Sequence, residues 1–473
     1  MATIPGKDLL ARFTAIVGDT NTLTPADDLT HYTHENRDMI IGNTPLVLKP
    51  DSTEEVAAIL ALANETKTAI VPQGGHTGHA AGGVPDESGS QIVLSMERMN
   101  RIREIDTAGR TMTVEAGVIL QTIQEKAGTH DLLFPLSLAA EGSCQIGGNI
   151  STNAGGTGVL AYGNTRELVL GLEVVTPRGE IWNGLSKLKK DNTGYDLKDL
   201  FIGAEGTLGV VTAAVVKLFP KSKGKAAAWI GLATPAHALD LLNAALEKAG
   251  RTLTAFEFMP RIGVDAVFDH YPQIRIPLAA RHDWQVLMEI SSARSQQDAE
   301  TELEALLGAA LENGTIEDAA VSANETQRLS FWAIRETMPE SQKRLGGSIK
   351  HDISVAAHRI PEFIERAAPI VETVCPGARP FPFGHMGDGN IHYNVSQPEG
   401  MAAEAFLAER ERIQDGVHAL VIEMDGSISA EHGIGRLKRD LLARTKDPAA
   451  LAMMRTIKQA LDPNGIMNPG KVV

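Results

Sequence analysis

Three residues in two glycine-flanked loops have the types and spacing of a divalent metal site. His385 and His392 stand on either side of a glycine turn at 387–389, and Glu431 lies in a second loop that glycine closes. Two imidazoles and a carboxylate can hold a divalent metal and leave coordination positions open. His432, the next residue, is available as a base. A lone histidine is more often structural, but this group favours a metal site.

A predicted strand at 69–71 leads into a glycine loop, Pro72-Gln73-Gly74-Gly75-His76-Thr77-Gly78. The loop is neither a Walker A box nor a GxGxxG motif. Consecutive glycines let backbone N–H groups converge on a phosphate, although this loop alone is equally consistent with a tight turn. Two further runs of small and amide residues follow at 142–158 and 203–209. Backbone with few large side chains can lie against a flat ligand, so the recurrence of such runs favours a ligand-binding role.

Two cations, Arg335 and Lys350, are 15 residues apart. A guanidinium and an ammonium can clamp carboxylates. Their spacing alone, however, favours two solvated surface charges.

The composition limits the class of protein. The 473 residues correspond to about three domains at roughly 150 residues each, and the apolar share of 43% excludes a disordered chain. The 44 Lys and Arg against 59 Asp and Glu give a net charge of −15, which argues against nucleic acid or an anionic membrane surface as a partner. Of the 45 glycines, 23 fall within 74–209, the span of the glycine loops.

Cysteine usage and hydropathy indicate the compartment. Cys144 and Cys375 are too few for a disulfide framework or an iron–sulfur cluster, so we expect a reducing, cytoplasmic location. The N-terminus lacks the pattern of a secretory signal, and no run of about 18 apolar residues predicts a membrane span.

The elements that must position these residues follow from periodicity. Strand and helix patterns alternate over 45–110, with a helix that begins after Ser52 and has Glu55 as its capping-box partner. Alternating strands fill 101–220 and end at a linker, where we expect a domain boundary. Amphipathic helices and strands alternate again from 226 to 395, with glycine expected to end the helix at 297–314, and helices dominate beyond 400.

Four ordered stretches resemble one family: Asp191–Gly209, Gly384–Asn394, Ser429–Gly435 and Leu461–Lys471. In these motifs the chain resembles the FAD-linked D-2-hydroxy-acid dehydrogenases of the vanillyl-alcohol-oxidase superfamily, over nearly its whole length. The group includes D-2-hydroxyglutarate dehydrogenase, D-lactate dehydrogenase and the glycolate oxidase flavin subunit.

The resemblance implies an α+β fold. Its FAD-binding domain has two subdomains and is of the p-cresol methylhydroxylase (PCMH) type. We expect this domain at 1–220, an α+β cap domain for the substrate at 221–420, and a helical C-terminal segment at 421–473 that completes the active site.

The resemblance also implies which residues bind FAD, in three loops and at the C-terminal end. These are Pro72, Gln73, Gly74, Gly75, His76, Thr77, Gly78, Pro135, Gly142, Gly147, Gly148, Asn149, Thr152, Asn153, Gly155, Gly158, Glu205, Gly206, Gly209, Val210 and Asn468. Family members typically bind FAD without a covalent bond and lack a histidine at the position of His76. We therefore expect non-covalent FAD, with linkage through His76 as the alternative.

In the hydroxyglutarate branch, residues that match His385, His392 and Glu431 bind zinc or a similar metal. The resemblance assigns the base to His432 and substrate orientation to Asn394. It assigns carboxylate binding to Arg335 and Lys350, which replaces the surface-charge interpretation. Pro339 stands where that branch usually has threonine, so one polar contact to a distal carboxylate is expected to be missing.

The implied activity is oxidation of a D-2-hydroxy acid, with D-2-hydroxyglutarate or a similar dicarboxylate favoured. The metal lowers the pKa of the hydroxyl, His432 takes its proton, and the hydride passes to flavin N5. Electrons then leave to an external acceptor, an electron-transfer flavoprotein or a quinone. A homodimer is one option for the assembly.

Several alternatives stay open. Within the family they are a D-lactate dehydrogenase and a glycolate oxidase-type flavin subunit. A metal-dependent hydrolase would use the same His/His/Glu set but leaves the glycine loops unexplained, and a non-catalytic scaffold would need none of these polar clusters.

Overall fold

The computed structural model describes residues 4–35 and 39–473. Its α-helices, numbered in chain order, are α1 Lys7–Val17, α2 Thr30–Thr33, α3 Thr53–Thr66, α4 Leu120–Gly128, α5 Ile146–Thr152, α6 Val159–Tyr162, α7 Thr165–Leu168, α8 Lys198–Phe201, α9 Pro235–Ala249, α10 Arg261–His270, α11 Gln296–Glu312, α12 Glu325–Ser341, α13 Ile360–Val374, α14 Ala403–Leu407, α15 Arg410–Glu423, α16 Arg439–Thr445 and α17 Pro448–Leu461.

The strands are numbered in the same way. They are β1 Thr22–Leu23, β2 Val47–Leu48, β3 Ile70–Gln73, β4 Ile92–Ser95, β5 Ile102–Asp106, β6 Thr111–Glu115, β7 Leu132–Leu133, β8 Val169–Val175, β9 Ile181–Gly184, β10 Val210–Lys217, β11 Phe219–Pro220, β12 Gly224–Leu232, β13 Leu253–Pro260, β14 Trp284–Ser292, β15 Asp318–Val321, β16 Ser348–Ile349, β17 Ile353–Ser354, β18 Arg379–His385 and β19 Asn390–Ser396.

These elements form two compact units. Unit 1 comprises the residues up to 155, then 163–220 and 432–473, and unit 2 comprises 156–162 and 221–431. Each unit is discontinuous in the chain. The expected boundaries at 220 and 420 remain a prediction. Among the helices within 4–35 and 39–473, none combines the length and apolarity needed to cross a bilayer.

Unit 1 contains three sheets. A four-stranded sheet has the order β1-β2-β4-β3, with β2, β4 and β3 parallel, and a five-stranded antiparallel sheet has the order β5-β6-β10-β8-β9. Strands β7 and β11 form a third, two-stranded sheet. Helix α3 begins as expected, because the Ser52 side chain accepts a hydrogen bond from Glu55 N. Its buried face, which includes Val56, Ile59 and Leu60, packs in the core of the four-stranded sheet.

Unit 2 is built on an eight-stranded antiparallel sheet. The order is β15-β12-β14-β13-β18-β19-β16, with β17 also paired to β19. Successive side chains of a strand point to opposite faces. On β12, Ala228 and Ile230 pack in one core cluster with α9, α11, α13 and α15, whereas Ala227 and Trp229 pack in a second cluster with α10 and α12. We call the side that bears α10 and α12 the α12 face.

Helix α11 ends at a glycine, as expected. Helix α11 has Asn313 as its C-cap, and Gly314 with a φ of +77° follows one residue later. The C-cap amide of Asn313 donates to Ala309 O, and Gly314 takes the left-handed conformation that ends the helix.

Candidate cofactor and metal sites

A cavity in unit 1 opens where β3 ends in the glycine loop. Its volume is about 1020 Å³ including its open mouth. The loop 72–78 forms one wall and the start of α5 forms another, and residues 80–84, the turn at 205–211 and His432 also line it. The three glycine-rich runs, distant in sequence, therefore meet around one cavity.

Close backbone contacts explain two of its glycines. A β-carbon on Gly75 would lie 2.1 Å from Ser143 O, and one on Gly147 would lie 2.7 Å from the β-carbon of Ala116. Neither distance is compatible with a side chain, so the two loops can approach only as bare backbone. Without side chains at these positions, the cavity keeps room for a large, flat ligand.

Three buried amide oxygens at the cavity have no hydrogen-bond partner among the described residues. They are Gln73 Oε1, Gln145 Oε1 and Asn149 Oδ1. The amide nitrogen of Gln73 donates to Tyr32 O and Gly83 O, at 3.0 and 2.8 Å, which fixes that side chain's orientation. Buried polar atoms are normally paired. These acceptors therefore fit a ligand that brings N–H and O–H donors, as the flavin ring and ribityl chain of FAD do.

Most residues predicted to bind FAD line this cavity. They are Pro72, Gln73, Gly74, Gly75, His76, Thr77, Gly78, Gly147, Gly148, Asn149, Thr152, Glu205, Gly206, Gly209 and Val210. Six lie outside the lining: Pro135, Gly142, Asn153, Gly155, Gly158 and Asn468. Of these, Gly158 belongs to unit 2, whereas Asn468 Nδ2 donates to Gly82 O and Glu205 O and so supports the cavity wall.

The backbone is strained at the cavity. The non-glycine residues His76, Ala81 and Glu205 have φ values of +57°, +55° and +51°. Such conformations persist where the surrounding structure enforces them, often at binding sites. At Glu205 the carboxylate accepts hydrogen bonds from Ile434 N and Gly435 N, each at 2.7 Å. This contact ties the C-terminal segment of unit 1 to the cavity wall.

His76 is engaged by the protein itself. Its Nε2 lies 2.6 Å from His34 O, and burial lowers the pKa of the ring. This nitrogen is therefore committed to a backbone carbonyl, and the ring is held in its neutral form.

In unit 2, polar side chains gather on the α12 face of the sheet. Strand β13 pairs with β18 so that Glu257 stands opposite His385. Phe381 and Phe383 of β18 pack on the α12 face, and His385 follows at the same alternation. His392 and Asn394 of β19 alternate with Ile391, Tyr393 and Val395, which pack on the other face.

Glu257 joins two of the predicted site residues. Its Oε1 lies 2.6 Å from His385 Nδ1, and its Oε2 accepts from Arg335 Nε of α12 at 2.7 Å. Burial would raise the pKa of Glu257, but the charges of His385 and Arg335 lower it to about 2. Burial would lower the pKa of His385, and Glu257 raises it to about 9.

Three potential metal ligands of unit 2 converge. Atoms of Asp352, His392 and Glu431 lie within 4.8 Å of one another, and His392 Nε2 is 3.6 Å from Glu431 Oε1. Burial raises the pKa of Glu431 to about 7; the charge of His385 opposes this rise and the carboxylate of Asp352 adds to it. The ring of His385 is centred 5.7 Å from that of His392. Crowded carboxylates beside imidazoles are a donor set that fits a divalent cation.

The predicted substrate-binding residues have different settings. Arg335 is 8% exposed and lies over the ring of Phe383, and Asn394 is buried and donates through Nδ2 to Gln342 Oε1 at 2.8 Å. Lys350 is exposed beyond the end of β16. The structure therefore brings Arg335 into the buried cluster and leaves the side chain of Lys350 at the surface of unit 2.

Sequence reasoning missed Glu257 and Asp352. Each carried a usable signal. Glu257 is the one charge in the apolar run Ala255-Phe-Glu-Phe-Met259, and Asp352 directly precedes a short strand. A charge within a buried strand is costly unless it is paired, so such positions are candidates for a site.

Two family models match the chain. The model described as "FAD linked oxidases, C-terminal domain" matches residues 221–472, and the one described as "FAD binding domain" matches residues 44–184. The chain thus has an FAD-binding domain. A solved structure of p-cresol methylhydroxylase with substrate bound superimposes with a TM-score of 0.76 at 16% identity, covering 98% of this chain and 96% of that chain. This likeness confirms the predicted α+β architecture of the PCMH type.

Full-length relatives are similar in sequence. The mitochondrial D-2-hydroxyglutarate dehydrogenase of Arabidopsis thaliana is 36% identical over 478 residues, which cover 100% of this chain and 82% of the relative. The D-2-hydroxyglutarate dehydrogenase of Stutzerimonas stutzeri is 36% identical over 464 residues, which cover 98% of each chain. The chain therefore belongs to the family of FAD-linked oxidoreductases that includes these D-2-hydroxyglutarate dehydrogenases, as its motifs predicted.

Proposed function

We propose that this protein oxidises D-2-hydroxyglutarate, or a closely similar D-2-hydroxy dicarboxylate, to the 2-oxo acid. The observation that carries the proposal is the match to D-2-hydroxyglutarate dehydrogenases along the whole chain, at 98% coverage of both sequences in one case. FAD, when bound, supplies the two-electron redox chemistry. The cavity of unit 1, with its three unpaired amide oxygens, supports this assignment of the cofactor.

We assign the remaining roles to side chains of this chain. His432 accepts the proton of the substrate hydroxyl. Arg335 binds a carboxylate through its guanidinium, Asn394 orients the substrate through its amide, and Lys350 provides a second cation. Asn394 is suited to orientation because Gln342 fixes its amide.

The metal ligands in this proposal are His385, His392 and Glu431, as the family resemblance implies, and we add Asp352, which lies within 4.8 Å of His392 and Glu431. A divalent metal there supplies Lewis acidity toward an oxygen of the substrate. Imidazole nitrogens and carboxylate oxygens are donors that suit zinc, and a position beyond these residues would have to stay open for the substrate oxygen. Asp352 accepts hydrogen bonds from Asn390 Nδ2 and Glu431 N, at 3.1 and 3.2 Å, so its orientation is already fixed.

FAD is bound without a covalent bond in this proposal, as is typical of the family that the chain resembles, and His76 Nε2 contacts His34 O. Acid precipitation should release all of the flavin into the supernatant. Flavin that stays with the polypeptide would instead establish linkage.

Electrons leave to an external acceptor, an electron-transfer flavoprotein or a quinone. Cys144 and Cys375 are both free and buried, so neither offers an exposed redox relay. Free thiols also accord with a reducing compartment, and we propose the cytoplasm.

The decisive experiment is anaerobic flavin bleaching with the D- and L-forms of 2-hydroxyglutarate, malate and lactate. We expect D-2-hydroxyglutarate to bleach the flavin fastest and the L-acids to be inert. Faster bleaching by D-lactate would show a monocarboxylate enzyme. Pro339 is exposed on α12, one turn beyond Arg335, where the hydroxyglutarate branch usually has threonine. Because the panel contains hydroxy acids of different length, it directly tests which substrate length the protein accepts.

A further inference from the structure

One buried carboxylate in unit 2 contacts a proposed metal ligand and a proposed substrate-binding residue at once. Glu257 is 1% exposed, and its two oxygens are divided between His385 Nδ1 at 2.6 Å and Arg335 Nε at 2.7 Å. Neither contact is local, since the partners are 128 and 78 residues away. The pairing of β13 with β18 and the packing of α12 create both contacts.

The contact with His385 settles which ring nitrogen can bind a metal. In the neutral imidazole that a metal requires, Nδ1–H donates to this carboxylate and the lone pair is on Nε2. A carboxylate behind a metal-binding histidine also holds the ring plane and makes the histidine a stronger ligand.

The contact with Arg335 settles how its guanidinium is presented. Glu257 uses the Nε–H, and the ring of Phe383 lies 4.9 Å from the guanidinium carbon. These two contacts fix the plane of the group. Its Nη donors have the fork geometry that suits a carboxylate.

We propose that Glu257 is a positioning residue that orients the metal ligand His385 and the carboxylate-binding Arg335 together. The inference rests on the proposed function, because it assumes that these two residues bind the metal and the substrate. Glu257 itself touches neither.

A matched control lies on the neighbouring strand. Glu289 of β14 is 4% exposed, and its carboxylate contacts Arg328, Lys225 and Trp332. It is thus a buried, ion-paired glutamate in the same sheet, but it contacts none of the proposed metal ligands. Glu257→Gln and Glu289→Gln remove the same charge from equally buried positions.

The test is the zinc dissociation constant of each variant, measured by competition with a chelating dye. We expect E257Q to weaken zinc binding by about 10- to 100-fold and to raise the KM for D-2-hydroxyglutarate, with FAD affinity unchanged. E289Q should stay within about twofold of the original zinc affinity. Equal zinc affinity and KM in E257Q and the original protein would overturn the inference.

A double-mutant cycle separates positioning from a general structural effect. On a His385→Ala background, E257Q should change zinc affinity by less than about twofold, whereas a full tenfold loss there would contradict the role through His385.

If E257Q does not fold, Glu257→Asp keeps the charge beside Arg335 but is one methylene too short for both contacts, and the same loss is expected. If substrate bleaches the flavin of a protein that has no affinity for zinc, both the metal assignment and the inference are overturned. Retained zinc binding with no bleaching by any hydroxy acid overturns only the proposed function.

Discussion

Within unit 1, different residues are proposed to bind the cofactor and to accept the proton. Glycines and the amides of Gln73, Gln145 and Asn149 make up much of the cavity lining, and His432 is the imidazole there that the proposed function uses. Its ring meets that of His79 edge to face, with centroids 5.1 Å apart. Removing His432 should therefore disturb proton transfer more than it disturbs the cavity.

His432→Ala should bind FAD normally, and the rate of flavin reduction by substrate should fall by about 10²- to 10⁴-fold, the usual contribution of a general base. Anaerobic stopped-flow absorbance measures this rate. His79→Ala, which removes the contacting ring, is the control and should lose less than about tenfold. An unchanged single-turnover rate in the His432 variant would count against the base.

The chemical types at the site were predictable residue by residue, but their partners were not. The spacing of His385, His392 and Glu431 indicated a metal site because glycine turns and ligand types are local features. Glu257 could not be paired with His385, because strand register over 128 residues is set by the fold and not by any local pattern. Lys350, assigned to the substrate by the motif match, has an exposed side chain, and its role stays a prediction.

At the level of elements, glycine loops and strand ends were predictable and tertiary contacts were not. The helix start at Ser52 and the strands that flank the loop at 72–78 follow from capping and alternation, and the structure confirms them. The contact of Gly75 with Ser143 could not be read from the sequence, because it depends on how two distant loops pack.

Gly75→Ala should lower the stability of the flavin-free protein by about 1–3 kcal/mol, because the new methyl group would overlap Ser143 O. Gly78→Ala in the same loop meets nothing within 4 Å and should leave that stability unchanged. Chemical denaturation of both apoproteins measures the difference. Equal stabilities would show that the loops separate freely.

The C-terminal segment contains a buried cation. Burial lowers the pKa of Lys471 to about 8 from its ordinary 10.5, with the charge of Arg436 adding to the effect. Between these two values the unfolded chain binds more protons than the folded one, so this lysine makes stability rise with pH across that window.

Lys471→Met should therefore stabilise the protein at pH 7 by about 1–3 kcal/mol, a gain that shrinks as the pH approaches 10. Thermal unfolding at pH 7, 8.5 and 10 tests the trend. Lys446→Met, at an exposed position in the same segment, should change Tm little at any pH. A gain of equal size at all three pH values would point to packing and not to charge.

Across the whole molecule, the proposed function assigns FAD and the metal to different residues. The cavity that fits FAD is lined by unit 1, and Asp352, His392 and Glu431 belong to unit 2. Loss of the metal therefore need not release the flavin.

Exhaustive chelation should leave the flavin absorbance and the flavin-to-protein ratio unchanged, while reduction by D-2-hydroxyglutarate is lost. Zinc added back should restore it, and dithionite should reduce the flavin throughout as the control. Full activity in protein shown to be metal-free by elemental analysis would refute the metal assignment.

Because each unit is made of separated chain segments, the sequence also determines which unit can fold first during synthesis. Unit 1 needs residues 432–473, whose Ile466 and Asn468 form backbone hydrogen bonds with Ile70. Unit 2 is complete once residue 431 has left the ribosome. During synthesis, which proceeds from the N-terminus, unit 2 can fold first, whereas the early loops of unit 1 must wait some 360 residues for their C-terminal partners. We therefore expect flavin capture to be a late step in the making of this protein, after the proposed metal ligands of unit 2 are already in place.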